Sequence, residues 1–263
     1  MQRQLWIFCG LSVAVVMTAI MLPPVSQPAD YHQFADQRSF FDIPNFYNVV
    51  SNLAILLSGV AGLLFLFNSY RSPAQKVFLS RTEYWPYLIL FLSVAASALG
   101  SIFYHWIPDN AYLLWDRLPI AVGITALLAA TLVERVSPAV GLWSLPFLTI
   151  LGILSVLYWY WTEQQGIGNL NFYIVTQFYS IVLIVLLSMH YPSRYTHSKD
   201  IYQVIALYAV AKMTELLDMP IYNLTGHFIS GHTVKHLLVA WVVYRIVRML
   251  QKREFLSEKP SFP

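Results

Sequence analysis

Residues 84–105 read YWPYLILFLSVAASALGSIFYH, a run without Asp, Glu, Lys or Arg. A helix needs about 20 mostly apolar residues to cross the hydrocarbon core of a bilayer, and this run is long enough and apolar on every face. A barrel strand would alternate polar and apolar residues over about ten positions, which this run does not do. Seven more stretches qualify or nearly so: 5–23, 46–67, 111–132, 139–158, 170–189, 201–217 and 230–250. The weakest is 201–217, with Lys212 and Glu215 inside it and Asp218 at its end. The sequence therefore predicts an all-α, polytopic membrane protein. It forms a single membrane domain over 1–263, with a seven-helix core at 46–250, one extra N-terminal transmembrane helix at 5–23 and a tail at 251–263.

Composition agrees. Of 263 residues, 57% are hydrophobic and 11% charged, and the mean hydropathy is +0.56. Soluble domains carry roughly 25% charged residues, so this chain cannot cover a water-facing surface of its size. A soluble enzyme, a disordered chain and a fibrous protein are excluded. The formal net charge of +3 is what a positive-inside membrane protein carries and no nucleic-acid footprint. The single cysteine, Cys9, rules out an intrachain disulfide and reads as small apolar filler.

Loop charges set the orientation. Alternate segments carry Arg3, then Arg71, Lys76 and Arg81, then Arg135, then Arg194 and Lys199, and finally Arg245, Arg248, Lys252, Arg253 and Lys259. The opposite segments carry Arg38 as their one basic residue, alongside Asp30, Asp36, Asp42, Asp109 and Glu163. This asymmetry predicts cytoplasmic termini, with the loops at 24–45, 106–110, 159–169 and 218–229 outside. A secretory signal is the alternative for 5–23. The apolar run is longer than a signal core of 7–15 residues, and Pro23-Pro24 stands where a cleavage site belongs, so a retained helix is preferred. Seven helices follow in either case.

Each ionisable residue inside a span costs about 2.5–3.5 kcal/mol on insertion scales and calls for a role. The set read from the sequence is His105, Asp116, Arg117, Lys212, Glu215, Asp218, His232, Lys235 and His236. With the orientation above, Ser101, His105, Asp116, Glu215, Asp218, His232 and His236 collect at one depth under the outer face. Ser101 and His105 are four apart, as are His232 and His236, so each pair shares a helix face. Two histidines at that spacing present two imidazoles to one metal, and a third from a neighbouring helix completes a three-ligand zinc site with an open position. There is no Glu after His232, so the base comes from another helix, and Asp116 is the acid at matching depth on the adjacent pair. The plainer readings are packing histidines, Ser101 as a small contact residue, and Lys235 reaching up to the outer interface.

These residues resemble the alkaline ceramidases, membrane amidases of a superfamily that includes the adiponectin and progestin receptors. The resemblance rests on Asn48-Val-Val-Ser51-Asn52, Gly100-Ser101-Ile-Phe-Tyr-His105, Asp116-Arg-Leu-Pro119 and His232-Thr-Val-Lys-His236. Chain order and the intervals between the Ser, His and Asp positions match, over about 45–240. The chain looks most like a bacterial branch, which implies the bacterial inner membrane. The resemblance implies that His105, His232 and His236 hold Zn2+, that Asp116 orients and deprotonates the attacking water, and that Ser101 donates a hydrogen bond near the metal. Asn52, Glu215 and Asp218 are further polar residues near that site. The implied partners are membrane lipids and a ceramide-like or other N-acyl lipid substrate, entering sideways from the bilayer. One departure concerns Ca2+: the family's calcium loop has Glu where this chain has Asn45, leaving Asp36, Asp42 and Asn45 as a poor set for a hard cation. The alternative function is a seven-helix receptor or sensor with a structural zinc site. A retinal protein is disfavoured because Lys235 sits too near the outer end, and a transporter because no repeat is present.

Overall fold

The computed structural model describes residues 2–71 and 77–256. Its helices are α1 (Gln2–Met21), α2 (Phe46–Arg71), α3 (Tyr84–Trp106, after a 3-10 turn at Arg81–Glu83), α4 (Asn110–Arg135), α5 (Pro138–Gln164), α6 (Asn171–Ile174), α7 (Ser180–His190), α8 (Asp200–Leu216), α9 (Asp218–Leu224) and α10 (Gly231–Lys252). Among the described residues there is no strand, only isolated bridges at Phe40 with Ile43 and Tyr195 with Phe255. Among the described residues, five segments are long and apolar enough to cross a membrane: Phe46–Arg71, Arg81–Trp106, Asn110–Arg135, Pro138–Gln164 and Asn171–His190. The chain is an all-α polytopic membrane protein. Two of the basic residues used for orientation, Lys76 and Lys259, lie outside the described residues.

Side-chain caps begin the helices that matter to the site. Asp109 accepts the Tyr112 N–H at 2.8 Å to open α4, and Ser230 accepts the Thr233 N–H at 3.1 Å to open α10. α1 flanks the sixth segment: Ser12 meets the Tyr179 hydroxyl at 3.0 Å, and the Asn171 amide donates to the Pro23 carbonyl at 2.9 Å.

Two local features differ from the sequence reading. The stretch 170–189 is not one unbroken α-helix, because α6 and α7 are joined by a π turn at Val175–Tyr179. That turn aims Gln177 at α8, where its amide donates to the Tyr208 hydroxyl at 2.5 Å; such turns occur mostly as single insertions within α-helices. The connection 218–229 is also not plain loop, since it contains α9.

Between helices in lipid, close packing replaces the hydrophobic effect as the main attraction, and two glycines set the approaches around the site. A Cβ on Gly100 would lie 2.2 Å from the Trp115 carbonyl oxygen and 3.0 Å from the Asp116 nitrogen, so α3 and α4 touch backbone to backbone there. A Cβ on Gly231 would lie 2.2 Å from the Thr214 carbonyl oxygen, which fixes the start of α10 against the end of α8. The ends of α3 and α8 thereby meet the starts of α4 and α10 at one end of the bundle.

The opposite end is held by buried charge. Glu83 accepts from Arg194 at 3.2 Å and from the Tyr195 hydroxyl. Glu134 accepts from Tyr87 at 2.7 Å and from Arg253. The Arg253 guanidinium also lies 4.2 Å from the Tyr195 ring and 4.5 Å from the Phe78 ring. Arg135 donates to the backbone carbonyls of Ser188, Tyr191 and Ser198.

Candidate metal centre

Ser101 and His105 occupy the last turns of α3, and His232 and His236 the first turns of α10. The three imidazoles form a nearly equilateral cluster, with ring centroids 4.7 Å apart for His105 and His232, 5.0 Å for His105 and His236, and 4.9 Å for His232 and His236. All three are buried, and one ligand atom from each lies within 4.8 Å of the others. Among the described residues this is the one group of three or more His, Cys, Asp or Glu side chains so arranged.

The donor set fits a metal ion. Nε2 of His105 faces Nε2 of His232 at 3.2 Å, while Nδ1 of His105 and Nε2 of His236 are buried without a partner. Unpaired buried polar atoms each cost about 1–3 kcal/mol and are rare in native structures. A cation taking one imidazole lone pair from each ring would give His236 Nε2 its partner, and three histidines with an open position are a known zinc arrangement.

The surroundings fix the rings. Ser51 of α2 meets His236 Nδ1 at 2.8 Å, which turns the unpartnered Nε2 toward the other histidines. Asp218 accepts the His232 backbone N–H at 2.7 Å on one oxygen and the Ala35 N–H at 2.9 Å on the other. Asn45 donates to the His105 carbonyl at 2.9 Å, and Asn48 accepts from the Thr233 hydroxyl at 2.8 Å. Phe34, from the segment before α2, roofs the cluster with its ring centroid 4.6 Å from His105 and 5.1 Å from His232. Ligand histidines held from behind lose roughly 10–100-fold in metal affinity when that support is removed. Ser51→Ala is therefore expected to weaken metal binding by about that factor with the helical content unchanged, measured by competition with a chelator; unaltered affinity would remove Ser51 from the centre.

The chain matches none of the known protein-family models, and no curated protein matches it. What the centre can do rests on its own geometry.

Asp116 lies in α4 where α3 touches it at Gly100, the residue before Ser101. Its surroundings include Lys235, Arg117 and Glu215. Arg117 turns away into an aromatic cage, with its guanidinium 4.4 Å from the Trp159 ring and 5.0 Å from the Tyr31 ring. Asn52 stays on α2, donating to the Asn48 carbonyl at 2.8 Å, and its own buried carbonyl oxygen has no partner.

Lys235 corrects the expectation of an interfacial side chain. Its ammonium turns inward, 2.8 Å from His232 Nε2 and 3.0 Å from Glu215, which also bonds Lys212. Two of the three residues considered for a hard cation are committed elsewhere. Asp36 pairs with the Arg38 guanidinium through contacts of 2.8 and 2.7 Å, a bond that raises the Arg38 pKa above its ordinary value, and Asn45 faces His105. Asp42 is exposed. The residues that sequence reading left without a role are Ser51 and Phe34. A polar Asn-x-x-Ser-Asn run inside an apolar span was the available signal for Ser51; nothing local marked Phe34.

Proposed function

We propose that this protein is a zinc-dependent membrane amidase that hydrolyses the amide bond of a ceramide-like or other N-acyl lipid. The observation that carries the reading is three buried histidines whose ligand atoms lie within 4.8 Å of one another, with His236 Nε2 unpartnered, next to the α3–α4 approach that carries Ser101 and Asp116. The similarity of the motifs to those of the alkaline ceramidases supports the same chemistry. His105, His232 and His236 would hold the metal. Zinc there would polarise the amide carbonyl and make water acidic enough to attack near neutral pH.

Asp116 takes the proton from the attacking water as its oxygen bonds to the amide carbon. Ser101 donates a hydrogen bond to the carbonyl oxygen as negative charge builds on it. When the C–N bond breaks, Asp116 returns the proton to the leaving nitrogen, giving a fatty acid and an amine. An apolar cavity of about 110 Å3 between α2, α3, α4, α7, α8 and α10 suits an acyl chain. Its lining includes Ile55, Ser97, Ile120 and Val239, each about one helical turn from Ser51, Ser101, Asp116 and His236 respectively. Roughly one zinc per chain and release of labelled fatty acid from ceramide by the purified protein test the reading; full activity in a metal-free preparation would end it.

The charge asymmetry supports a centre under the outer face, in a bacterial inner membrane with cytoplasmic termini. A reporter fused after Pro263 is expected on the cytoplasmic side, and one inserted near Gly166 outside. The reverse result would move the centre to the inner leaflet.

A further inference from the structure

We infer that Lys235 is a carboxylate-binding residue of the metal centre, placed to hold the acid that amide hydrolysis releases; this rests on the amidase reading. Its position argues against a surface role: the side chain is 15% exposed, and its ammonium lies within hydrogen-bond distance of both His232 and Glu215.

An ammonium has three N–H donors. One serves Glu215 and one His232 Nε2. The second cannot persist once His232 Nε2 is committed to a metal, because that nitrogen has a single lone pair. Lys235 then keeps Glu215 and has donors to spare beside His232.

Glu215 does not neutralise it. The carboxylate is shared with Lys212, so the Lys212–Glu215–Lys235 set carries two positive charges against one negative. Asp218, the other acid beside His232, has its own partners in the backbone N–H groups of His232 and Ala35. What completes Lys235 is an anion arriving next to His232, and the reaction makes one there. The neutral substrate amide offers a carbonyl oxygen; the product offers a full negative charge at the same place. Its chain has a berth, since Val239 of the apolar cavity lies one turn along α10 from Lys235.

The test uses the full chain in detergent, zinc-loaded and chelated, with carboxyl-13C decanoate as the probe and decanol as a neutral competitor of equal chain length. Saturable decanoate binding that decanol fails to displace is expected in the wild type. Hydrogen bonds to charged groups convert to about tenfold to a hundredfold in affinity, so Lys235→Gln should weaken decanoate binding by that much. Lys235→Arg should keep most of it, and zinc content should be unchanged in both. Equal competition by decanol in the wild type, which needs no variant, would overturn the inference. So would wild-type decanoate affinity in Lys235→Gln, or loss of zinc from it, which would make Lys235 a support for His232. Ceramide turnover without carboxylate preference sinks this inference alone. Decanoate binding in a protein that turns over no amide supports Lys235 as the carboxylate site and sinks the amidase reading instead.

Discussion

Zinc content should fall from about one per chain to near zero in His232→Ala and in His236→Ala, while circular dichroism stays helical. The three imidazoles supply the only convergent donor set found among the described residues, and a tetrahedral ion with three protein ligands depends on each of them. The helices should survive because His236 is held mainly through Ser51, whose hydroxyl also has the Asn48 carbonyl at 3.2 Å to fall back on. Losing the His236 imidazole also removes a buried nitrogen that has no partner, which offsets part of the cavity it leaves. Metal analysis beside the spectrum separates the two effects. Full zinc occupancy in both variants would mean that the histidines are packing residues and that the metal lies elsewhere.

Asp116→Asn should reduce amide hydrolysis by about 10²–10⁴-fold, the usual loss when a general base is removed, with zinc retained. The substitution keeps the shape and the ability to hydrogen-bond and removes only the capacity to accept a proton. A role in orienting a ligand histidine predicts a different result, a fall in metal affinity of roughly 10–100-fold. A packing role predicts neither. Rate and stoichiometry measured together on one preparation distinguish the three, and near-normal turnover would take Asp116 out of the mechanism and direct attention to Glu215.

The spans were legible because lipid imposes a simple demand, that backbone groups be satisfied within the segment and side chains be apolar. The runs 84–105 and 111–132 accordingly match α3 and α4 to within a few residues. Convergence of His105 with His232 and His236 was legible from spacing and chain order. What was not legible depends on contacts between segments far apart in the chain. Lys235 looked interfacial by depth alone, yet Glu215 draws it inward. The π turn at Val175–Tyr179 leaves no periodicity signal in a stretch that is apolar throughout. Glu83 and Glu134 sit near span ends, where the sequence gives no sign that each is buried beside an arginine.

Those two carboxylates bear on how the chain is made. Glu134 precedes its cation, Arg253, by 119 residues, and Glu83 precedes Arg194 by 111. During synthesis Glu83 and Glu134 therefore emerge before their arginine partners have been translated. A buried charge stripped of its partner is strongly destabilising, so this end of the bundle cannot close until the residues following α10 arrive. The last described stretch of chain acts as the latch of assembly: Arg253 enters between Val77, Phe78, Tyr87 and Glu134, and the bridge between Phe255 and Tyr195 holds it there.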